Sequence, residues 1–73
     1  MPEVKVPSEL TAGIWKIEVA AGTSVEEGDT LILLESMKTE IPVSAPRKGR
    51  VKSILVEEGE QVEEGQTLIV LEY

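Results

Sequence analysis

The sequence predicts an all-β domain, and three observations lead to that fold class. The 41% hydrophobic content consists mainly of Val, Ile and Leu, because the chain has one Trp, one Tyr and no Phe. Val and Ile favour the pleated surface of a sheet over a helix. Isolated glycines also separate short apolar segments, as turns do between strands. Finally, Ser24–Glu27 is compatible with the start of a helix, but Gly28 follows too soon for a helix of useful length.

The chain contains an internal duplication with an offset of 37 residues. Residues 3–36 align with residues 40–73 without a gap, and fourteen of the 34 aligned pairs are identical. Two copies of this length indicate a two-fold duplication rather than a solenoid. We expect a single domain spanning 1–73, in which two similar halves pack together as a flattened barrel or sandwich. Met37–Thr39 joins the halves and has no full counterpart.

Each copy contains three predicted strands. Apolar or alternating segments define them, and they recur at corresponding places; in order they are Val4–Val6, Ile14–Val19 and Leu31–Glu35, then Ile41–Val43, Val51–Val56 and Leu68–Glu72. Alternation in the second strand places Trp15, Ile17 and Val19 on one face. Trp15 aligns with Lys52, so it breaks the symmetry, and it either covers an open end of the core or marks a partner surface.

Composition excludes several classes of function. Fourteen acidic and seven basic residues give a net charge of −7, which argues against nucleic acid as a partner. The acidic runs suit either solvated turns or a surface that steers docking onto a basic enzyme face. No apolar segment is long enough to span a membrane, and the N-terminus lacks a secretory apolar core, so we expect a cytoplasmic location.

The sequence offers no recognisable catalytic or metal-binding set. His and Cys are absent, Ser36 has no candidate base nearby, and the carboxylates lack the spacing of a calcium loop. We therefore predict no catalytic residues, no metal and no enzymatic activity. Lys38 remains the residue of interest, because it lies at the unique joint and is the one basic residue in 17–46. Its flexible stem and terminal amine suit covalent attachment of an acyl group.

Lys38 lies in the predicted connection between Leu31–Glu35 and Ile41–Val43, a hairpin of about five residues. The symmetry pairs this connection with the gap between the chain ends, so we expect the termini to lie near each other. Residues 35–43 resemble the attachment motif of the biotinyl/lipoyl carrier domains, and Ala45-Pro46, Gly49 and the Val-Glu-Glu-Gly turns resemble the rest of that family. The resemblance covers essentially the whole chain and is greatest to the small free-standing biotin/lipoyl attachment proteins.

The resemblance implies two four-stranded antiparallel sheets with quasi-two-fold symmetry, and it places the modified lysine at Lys38 on an exposed hairpin. It also implies roles in ligase recognition and in shaping the hairpin for the flanking residues, which are Glu35, Ser36, Met37, Thr39 and Glu40. Biotin acceptors of the family usually have Met on both sides of the lysine, whereas lipoyl acceptors usually have Asp before and Ala after. Met37 favours biotin, and Thr39 leaves lipoate or dual modification open.

By resemblance, the chain is expected to be biotinylated on Lys38 by a biotin protein ligase and to act as a swinging arm. It would carry a carboxyl group between a biotin carboxylase and a carboxyltransferase, and we expect a monomer. Tethering raises the local concentration of the reactive group at two active sites in turn. Two alternatives stay open: a lipoyl carrier of a dehydrogenase complex, and an unmodified β-domain used for protein contact.

Overall fold

The computed structural model describes residues 1–73 and contains eight β-strands and no helix. The strands are β1 (Glu3–Pro7), β2 (Ala12–Ile17), β3 (Ser24–Val25), β4 (Thr30–Ser36), β5 (Thr39–Ser44), β6 (Gly49–Ile54), β7 (Gln61–Val62) and β8 (Thr67–Glu72). They form two four-stranded antiparallel sheets, with strand orders β1-β8-β6-β3 and β5-β4-β2-β7. The predicted all-β class is therefore confirmed, and no helix is available to cross a membrane.

The duplication in the sequence appears as matching strand registers. Glu35 pairs with Glu40 between β4 and β5, and the residues 37 positions away, Glu72 and Glu3, pair between β8 and β1. The β2–β4 register likewise reappears between β6 and β8. Each sheet takes two strands from each copy, so the halves interlock and neither could form its sheet alone. The predicted quasi-two-fold symmetry is confirmed.

The core lies between the sheets and consists of aliphatic side chains. Adjacent strand residues point to opposite faces, so each strand contributes its inward residues. The buried apolar residues are Val6, Ala12, Ile14, Val25, Leu31, Ile32, Leu34, Ala45, Val51, Val56, Val62, Leu68, Ile69 and Leu71. Close packing of so small a core has to hold the fold together, because a chain of this length buries little surface.

A β-bulge at Trp15 overturns the predicted alternation of the second strand. Ile14 pairs with Leu34 and Lys16 pairs with Leu33, so Trp15 is an extra residue without a direct partner. Ile14 is buried, whereas 47% of Trp15 is exposed. A bulge re-aims the side chains on either side of it, which is why Trp15 and Ile17 do not share one face. Lys52 occupies the corresponding bulge of β6.

Two further differences concern strands and turns. The structure adds the two-residue strands β3 and β7, which the sequence pattern did not predict. The glycines that punctuate the pattern lie at reversals, and Gly22 and Gly59 have φ of 92° and 89°. The Gly22 N–H donates a hydrogen bond to the Val51 carbonyl, and the Gly59 N–H donates the corresponding bond to the Ile14 carbonyl, so both bonds join the two copies. Glycine adopts this conformation without the steric cost that a Cβ imposes.

The chain ends meet as the symmetry predicts. The Tyr73 N–H donates a hydrogen bond of 3.0 Å to the Pro2 carbonyl. With the 37-residue offset, Tyr73 and Pro2 correspond to Ser36 and Thr39, which are paired between β4 and β5. The contact between the termini is thus the counterpart of the closing pair of the Lys38 hairpin.

Candidate functional site

The candidate site is the turn between β4 and β5, which consists of Met37 and Lys38 alone. Ser36 and Thr39 form the last pair of the two strands, and φ is 51° at Met37 and 65° at Lys38. Positive φ at both central residues of a two-residue hairpin is the mark of a type I′ turn. Asn and Gly usually fill such turns, and an ordinary L-residue costs about 1–2 kcal/mol in this conformation.

Both turn side chains are open to solvent. Met37 is 94% exposed and does not fill the core, and Lys38 is also exposed. The ion pairs of the molecule do not involve Lys38. The Lys38 side chain is therefore accessible, at the tip of a connection too short to fold back over it.

The hairpin is tighter than the sequence indicated. A connection of about five residues was predicted, but the strands continue to Ser36 and from Thr39, which leaves two residues. Of the predicted recognition residues, Glu35 lies in a strand as expected, whereas Ser36, Thr39 and Glu40 lie in strands rather than in the predicted connection. The error arose because Glu, Ser and Thr are polar here while still pairing across the hairpin. The structure brings all four next to Lys38.

Glu35 and Glu40 face each other across the hairpin. They are a direct cross-strand pair, so their side chains lie on the same, outward face of the sheet. Like charges in this arrangement destabilise a sheet, and no cation of the chain lies within 4.0 Å of either carboxylate. Lys16, which follows Trp15 in β2, instead pairs with Glu18 at 3.7 Å.

The corresponding carboxylates of the other sheet do have cationic partners. Arg50 Nη2 lies 2.7 Å from Glu72 Oε1, and Lys52 pairs with Glu3. The hydrogen bond from Arg50 holds the pKa of Glu72 below its ordinary value. The hydrogen bond to Glu3, together with its charge, raises the pKa of Lys52.

Gly13 and Trp15 occupy the places that Arg50 and Lys52 take in the repeat. Gly13 pairs with Glu35, as Arg50 pairs with Glu72. A shallow recess of about 260 Å³ lies here, lined by Gly13, Ile14, Trp15, Glu35 and Gly59. The sequence analysis identified Trp15 as a break in the symmetry but did not identify Gly13. The alignment of Gly13 with Arg50 in the repeat was the signal that could have identified it.

The chain matches the family model described as biotin-requiring enzyme over residues 2–71. A curated relative, the biotin/lipoyl attachment protein of Bacillus subtilis (strain 168), is 43% identical over 49 residues, which is 67% of each chain. The biotinylated protein TB7.3 homolog of Mycobacterium leprae (strain TN) is 43% identical over 51 residues, covering 70% of this chain and 72% of the relative.

A solved structure, the urea carboxylase of Kluyveromyces lactis, contains a closely similar fold. It matches 97% of this chain with a TM-score of 0.91 and 39% sequence identity. The match covers 6% of that much longer chain. The eight-stranded architecture therefore occurs as one small part of a large carboxylase.

Proposed function

The chain belongs to the biotin/lipoyl attachment family, and we propose that it is a biotin carrier whose attachment point is the Lys38 amine. The observation that carries the proposal is an exposed lysine, outside every ion pair of the chain, at the tip of a two-residue turn. The biotin carrier function predicted from the sequence agrees with the family match and with the biotinylated relative.

The residues at the turn fit a covalently attached acyl group. An amide to Lys38 needs a free amine and room for a second protein to approach, and the exposed turn offers both. Biotin, when bound, supplies the carboxyl-carrying chemistry, and the protein supplies position. The backbone conformation of Met37 and Lys38 sets the direction in which the lysine side chain leaves the turn, and the Ser36–Thr39 pair anchors the turn to both strands.

The partners follow from where such domains occur. Related domains are parts of carboxylases, so a biotin carboxylase and a carboxyltransferase are the proposed partners. A biotin protein ligase would make the amide at Lys38 and recognise Met37 and Thr39. We propose that the domain acts as a monomer in the cytoplasm and catalyses no step itself.

Lipoate is the second candidate. The Bacillus subtilis relative bears a name that includes both groups, and Thr39 departs from the second Met usual in biotin acceptors. A single turn could then serve two ligases. An unmodified contact domain is the remaining alternative.

Intact-mass measurement separates these possibilities. The chain would be produced with a biotin ligase and a lipoyl ligase together, and peptide mapping would locate any added group. We expect a biotinyl mass on Lys38. An added lipoyl mass would support the second candidate, and an unmodified chain would contradict both carrier proposals.

Lys38→Ala and Lys48→Ala form a matched pair for this experiment. Both lysines are exposed in connections that flank β5. Lys38→Ala should abolish modification, whereas Lys48→Ala should not. Neither change should alter the free energy of unfolding by more than about 0.5 kcal/mol, because exposed residues contribute little to stability. Strong destabilisation by Lys38→Ala would give Lys38 a structural role.

A further inference from the structure

The sheet that contains the Lys38 hairpin, with strand order β5-β4-β2-β7 and here called the hairpin sheet, lacks on its outer face two cations that the other sheet has. On the other sheet, Arg50 and Lys52 pair with Glu72 and Glu3. On the hairpin sheet, the same two carboxylates recur as Glu35 and Glu40, while the cationic positions hold Gly13 and Trp15. The molecule therefore shows, in its own second copy, which chemical group completes this arrangement.

The space for such a group is open. An added Cβ at Gly13 would lie 3.7 Å from Gln61 Oε1 and 3.9 Å from the Glu35 carbonyl oxygen, which are ordinary contact distances. Trp15 and Glu35 both line the recess beside it. Nothing in the packing of the strands requires Gly13 to lack a side chain.

The surroundings of the recess are acidic and aromatic. Glu58, which precedes the lining residue Gly59, accepts a hydrogen bond of 3.0 Å from the Ile17 N–H and is thereby held against β2. Exposed indole rings attract cations through their electron-rich faces. A guanidinium suits this combination better than an ammonium, because it is planar, stacks on aromatic rings and binds carboxylates through a two-pronged donor set.

We propose that the recess at Gly13 and Trp15 receives an arginine side chain from a partner protein, whose guanidinium binds between Trp15 and the Glu35–Glu40 pair. The partner's arginine takes the place that Arg50 has on the other sheet. Because the recess adjoins the Lys38 turn, the arginine belongs to an enzyme that acts at Lys38. This last step rests on the proposed function; the guanidinium site itself does not.

The site can be tested on the unmodified chain. Trp15 is the one tryptophan, so its fluorescence reports binding of an amidated tri-arginine peptide at low ionic strength, where charge attraction is least screened. We expect a saturable change in Trp15 emission, and binding at least about fivefold weaker for tri-lysine, which gains less from the aromatic face. A wild-type chain that gives no saturable change would overturn the proposal.

Gly13→Arg should occupy the recess with an arginine of the chain itself. It should reduce tri-arginine affinity at least about tenfold, because the added guanidinium pairs with Glu35 and repels the peptide. Arg50→Gly makes the reverse change on the other sheet and should leave the Trp15 response unchanged. Glu35→Gln tests the same contact if Gly13→Arg does not fold. Equal affinities for wild type, Gly13→Arg and Glu35→Gln would contradict the site.

A second measurement tests which partner uses the site. The rate of Lys38 biotinylation by a biotin protein ligase would be followed by intact mass for wild type, Gly13→Arg and Arg50→Gly. We expect kcat/KM to fall about tenfold for Gly13→Arg alone. Equal rates for all three would overturn the assignment of the arginine to this enzyme. An unmodified wild type would instead contradict the proposed function and leave the peptide result standing.

Discussion

The hairpin region and the terminal region of this domain have corresponding strand pairs but differ in how the chain is closed and in how the carboxylates are paired. The hairpin region comprises the Met37-Lys38 turn with Glu35 and Glu40; the terminal region comprises the paired chain ends with Glu72 and Glu3. Their backbone registers agree pair for pair. In the terminal region the carboxylates form ion pairs, whereas in the hairpin region they lie unpaired beside an exposed Trp15.

The comparison separates what the fold needs from what the hairpin adds. A hydrogen bond between Tyr73 and Pro2 closes the terminal region without any strained residue. The hairpin region is closed by Met37 and Lys38 in left-handed conformation, at a cost of about 1–2 kcal/mol per residue. The strain and the unpaired like charges of the hairpin region lower the stability of the fold, which fits the attachment role proposed for Lys38.

The largest effect is expected from the shared core. Leu34 and Leu71 are corresponding residues, 1% and 0% exposed. Leu34→Ala and Leu71→Ala should each lower the free energy of unfolding by about 2–5 kcal/mol, because each leaves a cavity between the sheets. Urea unfolding would measure both. Similar losses of stability in the two variants would show that the two copies contribute equally to the stability of the core.

Leu55→Ala is the control for this comparison. Leu55 is 54% exposed, so its truncation should cost less than about 0.5 kcal/mol. A difference of more than about 2 kcal/mol between Leu34→Ala and Leu71→Ala would show that the two regions are not energetically equivalent.

Relief of the turn strain should have a smaller effect, of opposite sign. Met37→Asn should raise the free energy of unfolding by about 1 kcal/mol, because Asn tolerates positive φ better than Met does. Lys48→Asn is the matched control, since Lys48 is exposed and lacks a positive φ. No gain, or an equal gain in the control, would mean that the turn holds no such strain.

The ion pairs of the terminal region predict a pH dependence of stability. Because its pKa is lowered in the folded state, Glu72 adds stability above its ordinary pKa of 4.5, and this contribution is lost as the pH falls through the lower folded value. Glu72→Gln should therefore destabilise the domain at pH 7 and flatten the loss of stability on acidification. The pH dependence due to Lys52 runs in the opposite direction. Its pKa is raised in the folded state, so it adds stability below its ordinary pKa of 10.5, and this contribution is lost as the pH rises through the higher folded value.

Urea unfolding from pH 7 down to about pH 3 would check this. Arg50→Gly removes the same pair and should change the acid dependence in the same direction. Glu35→Gln, at the corresponding position of the hairpin, should not destabilise at pH 7, because it removes one of two facing like charges. Equal destabilisation by Glu72→Gln and Glu35→Gln would remove the proposed difference between the regions.

Much of the fold could be predicted because many aligned residues of the two copies are identical. The offset of 37 residues gave the two-fold relation, the three longer strands of each copy and the meeting of the chain ends. Strands β3 and β7 escaped notice because two residues are too few to show a period. The bulge at Trp15 also escaped notice, since it depends on how Ile14 and Lys16 pair with β4, and alternation within one strand contains no such information.

The site was predicted in part. Lys38 was identified by its place at the joint and by family resemblance, and its assignment as the attachment residue stays a prediction. The two-residue turn was not foreseen, because Met-Lys lacks the Asn and Gly that usually signal a type I′ turn. The unpaired state of Glu35 and Glu40 also required the structure. Whether a carboxylate forms an ion pair depends on the residues of the neighbouring strand, and these strands are far apart in the sequence.

The smallest effect on stability concerns Thr39, the residue that departs from the usual biotin pattern. Thr39 is exposed in the edge strand β5 and pairs with Ser36, so Thr39→Met should change the free energy of unfolding by less than about 0.5 kcal/mol. It should keep or raise the rate of biotinylation, measured by intact mass with a biotin ligase, because it places Met on both sides of Lys38. Ser44→Met, in the same edge strand and also exposed, is the control and should leave the rate unchanged. A sharp loss of the biotinylation rate for Thr39→Met alone would mean that the ligase recognises the threonine itself. The hairpin region would then suit a ligase whose specificity differs from the usual preference for Met on both sides of the lysine.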